Sequence, residues 1–161
     1  QVMDQGQVLL VNLAKGKIGE DAATLLGSLL INQLGIAALS RADVPEHQRK
    51  NYFVFLDEYP TFTTLSLATM LAELRKYQVG LILAQQHLAQ VDPRIREAVL
   101  GNVGTLISFR IGPEDARFLE REFLPEFTAT DLTRLGNYQI YLKLLVNGQV
   151  TDPFSAETLA I

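Results

Sequence analysis

The sequence predicts an α/β fold, a mainly parallel sheet flanked by helices, and three observations carry that reading. Short apolar runs alternate with helical-period segments of about ten residues or more, and parallel neighbours need crossovers of that length. The first run, VLLVNL at residues 8–13, is nearly continuous, as in a strand buried on both faces. Two later runs end abruptly in polar clusters, Asp57-Glu58 and Gln85-Gln86-His87, and an open parallel sheet binds its ligands at such strand ends.

The elements follow in order. Residues 8–13, bounded by Gly6 and by Lys15-Gly16-Lys17, read as a strand. From Asp21 to about residue 40, Leu25, Leu26, Leu29, Leu30, Leu34 and Ala37 fall at helical spacing and predict a buried core helix. Its apolar stretch is interrupted by Ser28, Asn32 and Gln33 and is shorter than the roughly 20 residues of a membrane span. Residues 41–51, polar and carrying Pro45, predict a surface loop. Residues 52–56 form the next strand, stopped by Asp57-Glu58 and Pro60. Over residues 66–77, Leu67, Met70, Leu71 and Leu74 mark one helix face, with Glu73, Arg75 and Lys76 on the other. Gly80 opens a strand over 81–84. A short helix over 93–100 and a strand over 105–111 come next, ended by Gly112-Pro113, where proline suits the first turn of a helix running to about Phe123. A short helix near 130–135 and a strand over 138–146 follow, and Asn147-Gly148 predicts a C-terminal β-hairpin.

At 161 residues and 48% hydrophobic content the chain suits one domain, 1–161, with a sizeable core. A net charge of -4 gives no basic excess to hold a phosphate backbone, so DNA contact is expected to be local or supplied from elsewhere. The absence of cysteine excludes a disulfide scaffold, a thiolate metal site and a cysteine nucleophile. His47 and His87 are the only histidines, too few for a histidine-rich metal site. The chain opens at Gln1 with no basic-then-apolar leader and reads as a piece of a longer protein.

An aspartate ending a buried strand can hold Mg2+ directly or through water, and a neighbouring glutamate can orient or deprotonate an attacking water. Side chains alternate along a strand, so Asp57 and Glu58 can divide these tasks. The same pair also suits the start of a solvated loop, and the residues alone leave both roles open. Gln86 offers an amide able to sense a γ-phosphate, or serves as a polar loop residue. Arg75 and Lys76 can supply charge to phosphoryl transfer or simply cover a helix surface with their stems. No Gly-x-Ser-x-Gly elbow supports a serine hydrolase. A phosphate loop G-x-x-x-x-G-K-[ST] is missing too: Gly16-Lys17 is followed by Ile18, and Val11 stands where the leading glycine belongs.

Three ordered blocks, FVFLDEY (53–59), AELRKYQVGLILAQQHLAQ (72–90) and GNVGTLISFRIGPEDARFLEREF (101–123), carry a family resemblance. With KGKIGEDAATLLGSLL (15–30) upstream, they resemble the C-terminal half of the P-loop motor ATPase domain of conjugative coupling proteins of TraG/TraD type and their HerA/FtsK relatives. The resemblance covers roughly residues 8–123. It implies a partial RecA-like P-loop NTPase core in which Asp57 and Glu58 are the Walker B pair, Asp57 assisting Mg2+ and Glu58 positioning water. It likewise implies that Gln86 is the sensor glutamine and Arg75 the arginine that reaches a neighbouring subunit's nucleotide.

For the complete protein the resemblance implies an ATP- and Mg2+-using DNA translocase of conjugation and type IV secretion. It would be a homo-hexamer with DNA through the ring and secretion-channel proteins as partners. Such a machine is cytoplasmic, held at the cytoplasmic face of the inner membrane through segments outside this chain. The expected function is thus the distal Walker B and sensor portion of that motor, inactive by itself for want of the Walker A segment. Two alternatives stand beside it: a non-catalytic binding or assembly module with a P-loop-derived fold, and a related ATPase powering protein export.

Overall fold

A computed structural model describes residues 2–159. Helices α1 (Val2–Gln5), α2 (Lys15–Ile18) and α3 (Glu20–Leu39) come first, then β1 (Tyr52–Leu56), α4 (Leu65–Leu74), β2 (Val79–Leu83) and α5 (Pro93–Asn102). They are followed by β3 (Leu106–Ser108), α6 (Pro113–Phe123), α7 (Ala129–Arg134), β4 (Gln139–Lys143), β5 (Leu145–Val146), β6 (Gln149–Val150) and β7 (Phe154–Glu157). The chain gathers into two compact units. One comprises the residues up to Gln85 with Asp92–Asn102, the other Gln86–Val91 with the residues from Val103 onward.

In the first unit β1 and β2 are parallel, in register from Tyr52 opposite Val79 to Leu56 opposite Leu83. Period-two alternation sends Tyr52 and Val54 toward a core built on Met3, Ala38, Leu74 and Val79, and leaves Phe53 and Phe55 60% and 74% exposed on the other face. α5 packs on α4 and buries Ile95, Val99 and Leu100.

The predicted helix over residues 21–40 is present as α3, but its buried face differs from the expected one. Ala23, Gly27, Ile31, Gly35 and Ala38 face inward and, of the expected set, Leu34 and Ala37 pack against the core partly buried, while Leu25, Leu26, Leu29 and Ile36 are exposed. Close approach explains the inversion. A Cβ at Gly27 would overlap the Phe62 ring, and one at Gly35 would overlap the Met70 sulfur, so only small residues allow this packing. The helical stretch Glu20–Asp43 is also long and apolar enough to cross a membrane by length and composition, contrary to the shorter span read from the sequence.

Residues 7–14 have no regular structure, and Val8 and Leu10 are 86% and 91% exposed. The strand expected at 8–13 therefore makes no ladder. The segment lies instead along an open groove opposite β1.

In the second unit β4 pairs antiparallel with β3 on one side and β7 on the other. A mainly parallel sheet is thus not what the described strands form: β1 and β2 are parallel and the rest are antiparallel. The cause is a count of reversals. One crossover helix returns the chain for a parallel strand, but two helices, α6 and α7, separate β3 from β4, and the second reversal brings β4 back in the opposite direction. The predicted hairpin is present as β5–β6, with Asn147 at φ 51° and Gly148 at φ 81°, the positive pair that a tight two-residue hairpin turn requires. Thr128 and Asp131 form a capping box at the start of α7, and Phe127 stacks on Tyr141 with ring centroids 3.7 Å apart.

Candidate functional site: strand-end carboxylates and a basic rim

The parallel ladder fixes what leaves β1 and β2 at their C-terminal ends. Beyond the strands the Ala84 N–H donates to the Leu56 carbonyl at 2.9 Å and the Tyr59 N–H to the Ala84 carbonyl at 3.2 Å, so Asp57-Glu58 and Gln85 emerge side by side. Asp57 Oδ1 accepts the Glu58 N–H at 3.0 Å. Glu58 itself sits at φ 50°, ψ 45°, a left-handed conformation that costs a non-glycine residue about 1–2 kcal/mol. It turns the chain into the 3-10 turn Tyr59–Thr61, where Tyr59 is buried. Among the described residues neither the Tyr59 hydroxyl nor Gln85 Oε1 has a hydrogen-bond partner. Burial pushes the Tyr59 hydroxyl up to about 12, against the pull of the Gln85 side chain and the Arg96 charge.

Among the described residues no three His, Cys, Asp or Glu side chains converge as a metal cage. The Asp57-Glu58 pair fits a weaker role, since Mg2+ commonly takes one or two carboxylates and draws its other ligands from phosphate and water.

Arg75 lies elsewhere. It opens the 3-10 turn Arg75–Tyr77 ahead of β2, at the N-terminal end of the parallel strands. The five residues of β1 separate that end from Asp57 by roughly 16 Å at about 3.3 Å per residue. Within one chain the arginine and the acids are not brought together. Gln86 is exposed and begins the second unit. Its loop is held by Asp115, whose Oδ1 accepts the Ala89 N–H at 2.6 Å while Oδ2 lies 4.0 Å from His87 Nδ1. Sequence reasoning passed over Asp115. Its signal was an acid in the first turn of a helix opened by Pro113, where buried carboxylates tie loops to helix starts.

A second constellation, at the N-terminal strand ends, was also missed. Arg49 Nε donates to the Val44 carbonyl at 2.8 Å, its Nη1 to the Lys76 carbonyl at 2.5 Å, and its guanidinium lies over the Tyr77 ring at 5.5 Å. The buried Arg41 donates from Nη1 to the carbonyls of Lys50 and Tyr77 and from Nε to Asp4. These bonds stitch the segment before β1 to the turn before β2. Arg49, Lys50, Arg75 and Lys76 thereby share one rim, with Lys50, Arg75 and Lys76 exposed. The Glu73 carboxylate, 2.8 Å from Lys76 Nζ, accepts its hydrogen bond and holds the ammonium above its ordinary value. The sequence did contain the signal: two basic pairs, each just ahead of a strand, fall at the same end once those strands are known to be parallel.

Residues 10–124 match the family described as the type IV secretion-system coupling protein DNA-binding domain. No curated protein matches the chain. Among solved structures, the unbound bacterial conjugative coupling protein TrwBdeltaN70 is similar with a TM-score of 0.64 at 16% identity, over 86% of this chain and 38% of that one. The plasmid coupling protein TrwB with the non-hydrolysable ATP analogue ADPNP gives 0.64 at 17% identity, over 86% and 38%. The DNA-packaging ATPase B204 from Sulfolobus turreted icosahedral virus gives 0.57 at 14% identity, over 82% and 62%. The chain therefore spans 38% of the length of these coupling-protein structures. At such identities the likeness is one of fold alone, a mixed α/β arrangement shared with these structures.

The family match corrects the expectation that the chain is the catalytic Walker B and sensor half of a motor ATPase. What residues 10–124 match is the coupling protein's DNA-binding domain. The physical reason is that polar strand ends are a property of any open α/β sheet, and they mark where a ligand fits without specifying its chemistry. With 10–124 accounting for most of its length, the chain belongs to the type IV secretion-system coupling protein DNA-binding domain family.

Proposed function

We propose that this chain is a DNA-contacting assembly module of a coupling protein, with a P-loop-derived fold and no ATP turnover of its own. The observation that carries the reading is the basic rim of Arg49, Lys50, Arg75 and Lys76, which two chain segments build together at one end of the parallel strands. Arginine and lysine at one edge can neutralise neighbouring phosphates even where the whole chain is acidic, because screening confines each interaction to about a Debye length. In the complete protein we place this module in a homo-hexameric ring around DNA, docked to secretion-channel proteins at the cytoplasmic face of the inner membrane.

The test uses the full-length protein and a Lys50→Ala/Lys76→Ala double variant, which leaves Arg75 in place. Duplex DNA binding is followed by fluorescence anisotropy across a salt series. Each phosphate that the variant no longer neutralises should lower the slope of log K against log salt by about 0.9, and affinity should fall about tenfold or more, evenly across sequences. Unchanged affinity and slope would remove the rim from the interface.

A second reading rests on the strained Glu58 at the end of β1, since backbone strain held by surrounding structure gathers at functional sites. Under it the fold is RecA-like, Asp57 carries Mg2+, Glu58 orients water, and Gln86 and a trans Arg75 attend ATP in the full-length ring. Full-length Glu58→Gln should then lose about a hundredfold to ten-thousandfold in ATP hydrolysis with nucleotide binding kept, because glutamine keeps the shape but accepts no proton. Hydrolysis at the parent rate in a steady-state phosphate-release assay would sink this reading and leave the first standing.

A further inference from the structure

We infer that Arg41 is the floor of a phosphate site in the basic rim, and that the Asp4 carboxylate of α1 occupies it as a placeholder which a DNA backbone phosphate displaces. The inference rests on the reading of that rim as a DNA-contacting surface. Arg41 stands in the 3-10 turn Ser40–Asp43 after α3 with only 2% of its side chain exposed, a place where a charge has to be paired and hydrogen-bonded. Its pairing is incomplete. Nη1 gives its two hydrogens to the carbonyls of Lys50 and Tyr77, at 3.1 and 3.0 Å. The Nε–H and the outer Nη2–H point the same way and form the fork that grips a carboxylate or a phosphate by two parallel bonds. Asp4 Oδ1 takes only the Nε arm, at 3.0 Å, and among the described residues the buried Nη2 has no partner.

The half-filled fork sits where the rim's other cations gather. Lys50, whose carbonyl holds Arg41, brings its ammonium to 3.5 Å from the Gln5 carbonyl, one residue beyond Asp4. Tyr77, the other carbonyl partner, lies under the Arg49 guanidinium. α1 is pinned by Met3, buried against Ala38, Leu74 and Val79, and from that fixed point the short Asp4 side chain brings one oxygen to the fork and not the second. Access is open, because the Asp4 side chain is 49% exposed: rotation about its own bonds clears the fork toward solvent and leaves Met3 in place. Exchanging one anion for another keeps the buried guanidinium paired, whereas departure without replacement strands it. A phosphodiester offers two free oxygens, one for each arm. A duplex backbone suits the site better than a single free anion, since it presents further phosphates to the exposed Lys50, Arg75 and Lys76 at the same time.

Two variants of the full-length protein make the same change of charge and test this. Asp4→Asn weakens the placeholder, although its amide oxygen can still accept from Nε; Asp43→Asn, exposed and two residues from Arg41, leaves the fork untouched. Anisotropy with duplex DNA across a salt series should show Asp4→Asn binding about threefold to tenfold tighter than the parent. Its slope of log K against log salt should be steeper by about 0.9, the mark of one further phosphate, while Asp43→Asn keeps the parent slope. A thermal melt beside the titration exposes a merely structural role: a lower midpoint for Asp4→Asn with no tighter binding counts against the inference. An unchanged slope in Asp4→Asn, or equal gains in both variants, would overturn it. So would a gain that inorganic phosphate abolishes at matched ionic strength, which assigns the fork to the free anion. Comparison with Lys50→Ala/Lys76→Ala separates the two levels. If that double variant loses affinity and Asp4→Asn gains none, the rim stands and the placeholder falls; if the double variant binds like the parent, the rim falls and the inference with it.

Discussion

Tyr59 offers a pH-sensitive measure of the first unit's packing. Desolvation is the main cause of its upward shift to about 12 from an ordinary value of 10.0. Between those limits the unfolded chain releases a proton that the folded chain retains. Stability contributed by this group is therefore complete below pH 10 and is lost as pH rises toward 12. Urea midpoints measured from pH 9 to 12 should fall across that window, and Tyr59→Phe should flatten the fall. Near pH 7 the same change should be close to neutral, because among the described residues the deleted hydroxyl has no partner to strand. The positions of Asp57, Glu58 and Gln85 at strand ends were legible in the sequence, since a buried apolar run must end where polar residues begin. The left-handed backbone of Glu58 was not, because nothing in the pair Asp-Glu marks a positive φ as a glycine would.

At the scale of the element, α3 shows how a helix can be foreseen and its orientation misread. Leucines at helical spacing located it, but ranking faces by hydrophobicity pointed the leucines inward. Packing distance decided otherwise, because Gly27 and Gly35 let Phe62 and Met70 press against the helix backbone. Gly27→Ala sets a gain of about 1 kcal/mol in helix propensity against an overpacking cost of about 1–3 kcal/mol. A net loss near 1 kcal/mol is expected, read as a fall of about 2–4 °C in the thermal midpoint. A rise in the midpoint would mean that Phe62 moves aside freely. α6 and the β5–β6 hairpin were legible to the residue because their signals are local: Pro113 at a first turn, Asn147-Gly148 at a tight reversal.

Across the whole molecule, what the sequence withheld was direction. The alternation of strands and helices reports an α/β class, yet the paired helices α6 and α7 turn β4 antiparallel, and no single residue announces that. The basic rim was hidden for a related reason: Arg49-Lys50 and Arg75-Lys76 become neighbours only through the parallel register of β1 and β2. The unpaired segment ahead of α2 bears on colloidal behaviour. Residues 7–13 combine aliphatic and amide side chains with no charge and no proline, the composition from which cross-β stacking starts when such a stretch stays unpaired. Asp4 on one flank and Lys15 and Lys17 on the other act as gatekeepers, since stacking identical chains would pile like charges at the repeat spacing of a fibril. Neutralising those flanks would leave the segment free to seed aggregates, and the same three charges thus protect the folded chain from its own most strand-prone sequence.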